Sequence, residues 1–131
     1  MTDETVEEIK RRKLEQLQNG EATSTPDSPV SVTDEDHLNQ LLADHPIVLV
    51  DCHAEWCGPC QQLKPILARI AEETQAVVAT VDIDEHRNLA MEWGVRSVPT
   101  LLLYVDGERA ERIMGVQPFD RLSSLIETHA T

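Results

Sequence analysis

The stretch VDCHAEWCGPC, Val50 to Cys60, carries all three cysteines of the chain within nine residues, with a histidine among them. It is entered from an apolar, β-branched run, Ile47 to Cys52, bounded by Pro46. That is the composition of a strand buried on both faces. On its far side Leu63, Ile66, Leu67, Ile70 and Ala71 recur at helical spacing between Pro59 and Thr74. The cysteines therefore lie where a buried strand turns into a helix. Pro65 falls inside that helix and should kink it, because the ring removes one bond and crowds the preceding turn.

Two chemistries compete for such a cluster, a metal site and a redox pair. Cys57 at the helix N-terminus would meet unpaired N–H groups and the positive end of the helix dipole, both of which favour a thiolate. Only the thiolate attacks a disulfide. Two intervening residues bring the Cys60 sulfur back within reach, Pro59 stiffens the first turn where its missing N–H costs nothing, and Cys60 should lie deeper. For zinc, one Cys-x-x-Cys is half of a tetrahedral site. Cys52 and His53 are the nearest additional ligands, but neighbouring strand residues face opposite ways and cannot both join it. No metal is expected, and Cys52 reads as a small apolar residue packed in the sheet. Asp51 ends the apolar run, and burial without a cation partner would raise its pKa.

The remaining chain alternates strand and helix. Residues 1–18 read as a charged amphipathic helix, with Val6, Ile9, Leu14 and Leu17 on one broad face. Glu7 to Arg11 and Glu8 to Arg12 are spaced for i,i+4 pairing, which suggests a solvated helix or a weak docking segment. Asn19-Gly20 should end it, and EATSTPDSP, residues 21–29, reads as a polar linker. The expected division is an extension over 1–29 and a domain over 30–131. Val30 and Val32 suggest a short strand. Thr33 with Asp36 resembles a capping box opening a helix through about Ala43. Ala76 to Ile83 is a further strand, His86 to Trp93 a helix, and Pro118 to His129 a closing helix. TLLLYV and ERIMG flank Asp106-Gly107, a hairpin turn signal. The order β-α-β-α-β-α-β-β-α predicts an α/β domain whose central sheet mixes parallel and antiparallel pairs.

Charge narrows the partners. The chain has 24 acids against 11 bases, a net charge of -13, and only three lysines, Lys10, Lys13 and Lys64. A phosphate-binding protein needs a basic face, so nucleic acid is not expected as a partner. Acidic excess with scarce lysine marks proteins working in concentrated salt, where a screening length of about 3 Å at ~1 M removes self-repulsion. No apolar run reaches signal-peptide or membrane-spanning length, the longest being LLLYV, Leu101 to Val105. An odd cysteine count without an export signal argues against a disulfide framework and for a cytoplasmic protein whose cysteines do chemistry.

AEWCGPC, VRSVPT and LLLYVDGE together resemble the thioredoxin family, over roughly residues 30 to 129. The resemblance implies a thioredoxin fold and a thiol–disulfide oxidoreductase that reduces protein disulfides. In it Cys57 is the nucleophile, Cys60 the resolving cysteine, and Asp51 the acceptor of the Cys60 proton. Pro99 is implied to be cis. Trp56, Gly58, Pro59, Val98, Pro99 and Gly115 would form the substrate-binding rim. The implied partners are protein substrates and a flavoprotein thioredoxin reductase, with no dissociable cofactor, no membrane and a monomeric state. Gly-Pro between the cysteines resembles reducing members more than isomerases or oxidants. A binding module using the N-terminal helix as a docking arm is the alternative from another class.

The sequence departs from the family at three places. Cys52 and His53 stand where an aromatic pair is typical, Thr80 where a lysine is frequent, and Ser97 where a glycine is common. His53 is expected to donate to Asp84 in place of the usual tryptophan, and its protonated ring would favour the Cys57 thiolate.

Overall fold

The computed structural model describes residues 5–18 and 25–130, with backbone only for 16–18. The assignments made for Leu17, for Asn19-Gly20 and for residues 21–24 of the linker lie outside the described side chains and residues.

The described residues form a five-stranded sheet in the order β1-β3-β2-β4-β5. These strands are β1 (Val30–Ser31), β2 (Ile47–His53), β3 (Val77–Asp82), β4 (Thr100–Val105) and β5 (Glu108–Met114). The helices are α1 (Val6–Gln18), α2 (Glu35–Asp44), α3 (Gly58–Glu73), α4 (Arg87–Glu92) and α5 (Phe119–Ala130). β1 and β2 each run parallel to β3, as their helical crossovers require, while β4 runs antiparallel to β2 and to β5. Asp106 and Gly107 close the last hairpin with φ of 52° and 84°, the left-handed pair that matches the twist of the flanking strands.

Alternation along the central strand β2 builds two cores. Val48, Val50 and Cys52 face α2 and α4, where Leu38, Leu41, Leu89 and Ala90 meet them. Ile47 and Leu49 face α3 and α5, against Leu63, Leu67, Ile70, Leu122 and Ile126. Each fully buried leucine or isoleucine contributes about 1.5–3 kcal/mol, so aliphatic residues suffice despite the scarcity of aromatics. Cys52 is fully buried in the first core and lies outside the disulfide. Burial lifts its thiol to about 12, so it stays neutral and inert.

Two local expectations are corrected. The N-cap of α2 is Asp34, whose carboxylate accepts the His37 N–H at 2.7 Å. Thr33 sits one residue earlier, and its N–H donates to the His37 ring at 3.0 Å. A carboxylate is favoured here by the helix dipole. The second correction concerns α1, which is not a solvated helix. It packs against α3 through buried Ile9 and Lys13, and Lys10 pairs with Glu72 at 3.0 Å. The Lys13 amine has no solvent exposure and donates to the carbonyls of Ala71 and Ala76, the second at 3.0 Å.

Candidate active site

Cys57 is the N-cap of α3, held in extended backbone geometry, with Pro59 in the first turn. Its N–H donates to Ala54 O at 3.2 Å, which closes the turn leaving β2. The Cys60 N–H points at the Cys57 sulfur at 3.1 Å. This is the orphan donor of a helix start directed at the atom that would carry thiolate charge. Cys57 and Cys60 form a disulfide with Cα atoms 5.3 Å apart, and both residues are nearly buried. A Cβ added to Gly58 would meet nothing within 4 Å, so the space outside the cysteines is open to an approaching chain.

The loop before β4 comes to the same place. The Val98–Pro99 peptide is cis, and Val98 packs with Ile83 against Ala54, Cys57 and Cys60. Gly115 lies at the end of β5 with φ of 85°, a conformation that a side chain would strain, and its N–H donates to Pro99 O at 3.0 Å. Around this centre Trp56 is 70% exposed, Met114 56% and Val116 36%. Exposed apolar side chains beside a reactive pair make a contact surface rather than a pocket.

Asp51 is buried on the α3 face of β2, six residues before Cys57, with only 4% exposure. Its Oδ1 is the one fully buried side-chain oxygen or nitrogen among the described residues without a hydrogen-bond partner. Burial raises its carboxyl to about 7, against a smaller opposing pull from the Lys64 ammonium. A carboxyl so placed exchanges a proton near neutrality.

The expected His53–Asp84 bond is not formed. Trp56 takes that role, its indole N–H donating to Asp84 Oδ2 at 2.9 Å, while the Asp84 N–H donates to Asp82 Oδ1 at 2.8 Å. His53 is half-buried at the end of β2, opposite Asp82 in the parallel register. Burial, ahead of the charges around it, lowers its pKa and so disfavours the cation expected beside Cys57. Among the described residues no group of three or more His, Cys, Asp or Glu is arranged to hold a metal ion.

The thioredoxin family profile matches residues 28–128. The chain belongs to the thioredoxin family. Thioredoxin of Chlamydia caviae is 39% identical over 102 residues, spanning 77% of this chain and 99% of its own length. Thioredoxin of Chlamydia muridarum is 41% identical over 101 residues, 76% of this chain and 98% of that one. Among solved structures, a mutant thioredoxin from Halobacterium salinarum NRC-1 is 45% identical with a TM-score of 0.80. That likeness covers 82% of this chain and 95% of the Halobacterium one. As a thioredoxin-family protein with a disulfide-forming Cys-x-x-Cys pair, the chain is a thiol–disulfide oxidoreductase. Thioredoxins act on protein disulfides and are in general reduced by thioredoxin reductase. No helix among the described residues is long and apolar enough to cross a membrane.

Four residues at this site escaped the reading of the sequence. Ile83, Met114 and Val116 join the apolar surface, and Lys64 is the cation nearest in effect to Asp51. Lys64 had a usable signal, since it follows Cys60 by four residues and so shares its helix face. The two residues flanking Gly115 could also have been found, because the turn that brings Gly115 to Pro99 must carry its neighbours along.

Proposed function

We propose that this chain is a cytoplasmic, salt-adapted reductant of protein disulfides, acting as a monomer through a Cys57–Cys60 dithiol cycle. The observation that carries this reading is the pair itself: an N-cap cysteine facing the Cys60 N–H, after a strand that buries an unpartnered carboxyl. In the reduced protein the Cys57 thiolate attacks a substrate disulfide, forming a mixed disulfide and expelling one substrate thiolate. Asp51 takes the proton of the Cys60 thiol, directly or through a water. The Cys60 thiolate attacks the Cys57 sulfur, releases the second substrate thiolate and leaves the disulfide. Two electrons have then passed to the substrate, whose two thiolates take their protons from solvent, and the Cys60 proton is left on Asp51. A flavoprotein thioredoxin reductase would restore the dithiol, and neither a metal nor a dissociable cofactor enters the cycle.

Trp56, Gly58, Pro59, Val98, Pro99 and Gly115 are read as the substrate surface, joined by Met114 and Val116. Residues 1–29 are read as an extension to the domain over 30–131, with α1 clasped onto it.

Turbidity from insulin reduced by dithiothreitol tests the activity. The protein should accelerate it, and Cys57→Ser should not. Absence of turnover with both cysteines intact would sink the reading. The reduction potential against glutathione, taken in molar KCl, tests the direction. A value near about -270 mV fits a reductant, whereas one near about -120 mV would make the chain an oxidant. Salt adaptation predicts a higher melting temperature in ~1 M KCl than in dilute buffer, because the charge of -13 is then screened. Equal stability in both would remove that part of the proposal.

A further inference from the structure

If Asp51 accepts the Cys60 proton, as proposed above, it must pass that proton to water before it can act again. At 4% exposure it has little water of its own. The strand that carries it supplies a neighbour. His53 lies two residues along β2 on the same face, its Cα about 6.6 Å away by the rise of a strand. Burial falls along this stretch, from Asp51 inside to a half-buried ring at the strand end.

The groups facing the ring come from every element around it. Asp82 stands opposite on β3, and Lys64 of α3, Glu55 after β2 and Glu85 after β3 act on the ring through their charge. The charge of Lys64 acts on both Asp51 and His53, the two groups that the shared face of β2 sets side by side. An ammonium has no lone pair to receive a proton, whereas a neutral imidazole does. The three carboxylates would steady the imidazolium while it exists. The bond to Asp84 is made by Trp56 and does not depend on the ring.

We propose that His53 is the proton exit for Asp51, a positioning residue that restores the buried carboxylate between turnovers by relaying its proton to solvent. The step makes and breaks only O–H and N–H bonds. The Asp51 carboxyl gives its proton to a ring nitrogen, directly or through one water, and becomes a carboxylate. The imidazolium then gives that proton to water or to a buffer base.

The test is NMR of the reduced protein with labelled Asp carboxyl and His ring carbons, in weak buffer. In the wild type the Asp51 carboxyl signal should titrate near neutrality as one averaged peak. The His53 ring should show a second inflection at the same pH, the mark of coupled sites. In His53→Gln the proton exchange at Asp51 should slow by at least about tenfold and broaden its signal. Added imidazole should restore it. A His53→Gln signal as sharp as the wild type's, or a slowed exchange that imidazole does not rescue, overturns the exit and leaves Asp51 its role. An Asp51 signal that does not titrate near neutrality removes the Asp51 reading itself. Should His53→Gln fail to fold, the wild-type titration still decides, because a His53 ring blind to Asp51 is not its relay.

Discussion

The two ends of α3 each bury one ionisable group, and the same physics acts on both to different effect. Toward the N-terminal end, within the influence of Lys64, Asp51 is buried with an oxygen that has no hydrogen-bond partner. At the C-terminal end Lys13, brought by α1, donates to the carbonyls of Ala71 and Ala76. Burial raises Asp51 to about 7 and lowers Lys13 to about 8, in each case by disfavouring the charge. What separates them is satisfaction. A buried polar group with partners stabilises the place where it sits, whereas one without partners is a standing cost that chemistry can use.

The largest effect should come from removing that cost. The folded protein holds the Asp51 proton more tightly than the unfolded chain does, so its contribution to stability is full below pH 3.8 and is lost as pH rises through about 7. The gap corresponds to about 4 kcal/mol. Asp51→Asn should therefore gain about 2–4 kcal/mol over the wild type in urea unfolding at pH 8, and little at pH 4. The same variant should reduce insulin more slowly at pH 7 by about 10- to 100-fold, near the lower end for a positioned base. Equal stability at pH 8 would show that Asp51 is hydrated; equal rates would show that it moves no proton.

Lys13 should behave with the opposite sign in a different window. Its folded pKa lies below the unfolded 10.5, so its contribution is present above pH 10.5 and is lost as pH falls through about 8. Relative to Lys13→Met, the wild type should gain about 3 kcal/mol between pH 8 and 10.5, read by circular dichroism during urea unfolding. At pH 7 the two should differ little, because methionine loses the carbonyl bonds but also the buried charge. A difference that stays flat across the window would place the amine in solvent.

Most of the frame around α3 was legible, and the reasons are local. Period-two and period-3.6 patterns placed most strands and helices within a residue or two, and Asp106-Gly107 fixed the hairpin, although β5 begins at Glu108, three residues ahead of the expected ERIMG, and α1 begins at Val6 rather than at the first residue. Strand alternation along β2 separated Cys52 from the cysteine pair. What escaped depended on contacts between distant segments. Lys13 reads as part of a basic run in a helix, and nothing local shows that its acceptors lie 58 and 63 residues away. Asp84 accepts from Trp56 rather than His53 because the turn after β2 points the indole, not the ring, toward it. The α2 cap was misplaced by one residue because Thr33 and Asp34 are both good caps, and only backbone geometry distinguishes them.

The smallest effect sharpens the comparison by setting two lysines of the same helix against each other. Lys10 pairs with Glu72 at the surface, three residues from Lys13, and its pKa is raised by that bond and charge rather than lowered by burial. An exposed pair gains little, because water competes and two long side chains must be held still. Lys10→Gln should therefore lower the melting temperature slightly in dilute buffer. In ~1 M KCl, where the screening length is about 3 Å, that difference should vanish. The pH-dependent difference between wild type and Lys13→Met should persist in the same salt, since ions do not reach a fully buried amine. If salt erased both, α1 would be held to α3 by its surface charges alone, and the buried contact would carry none of the docking.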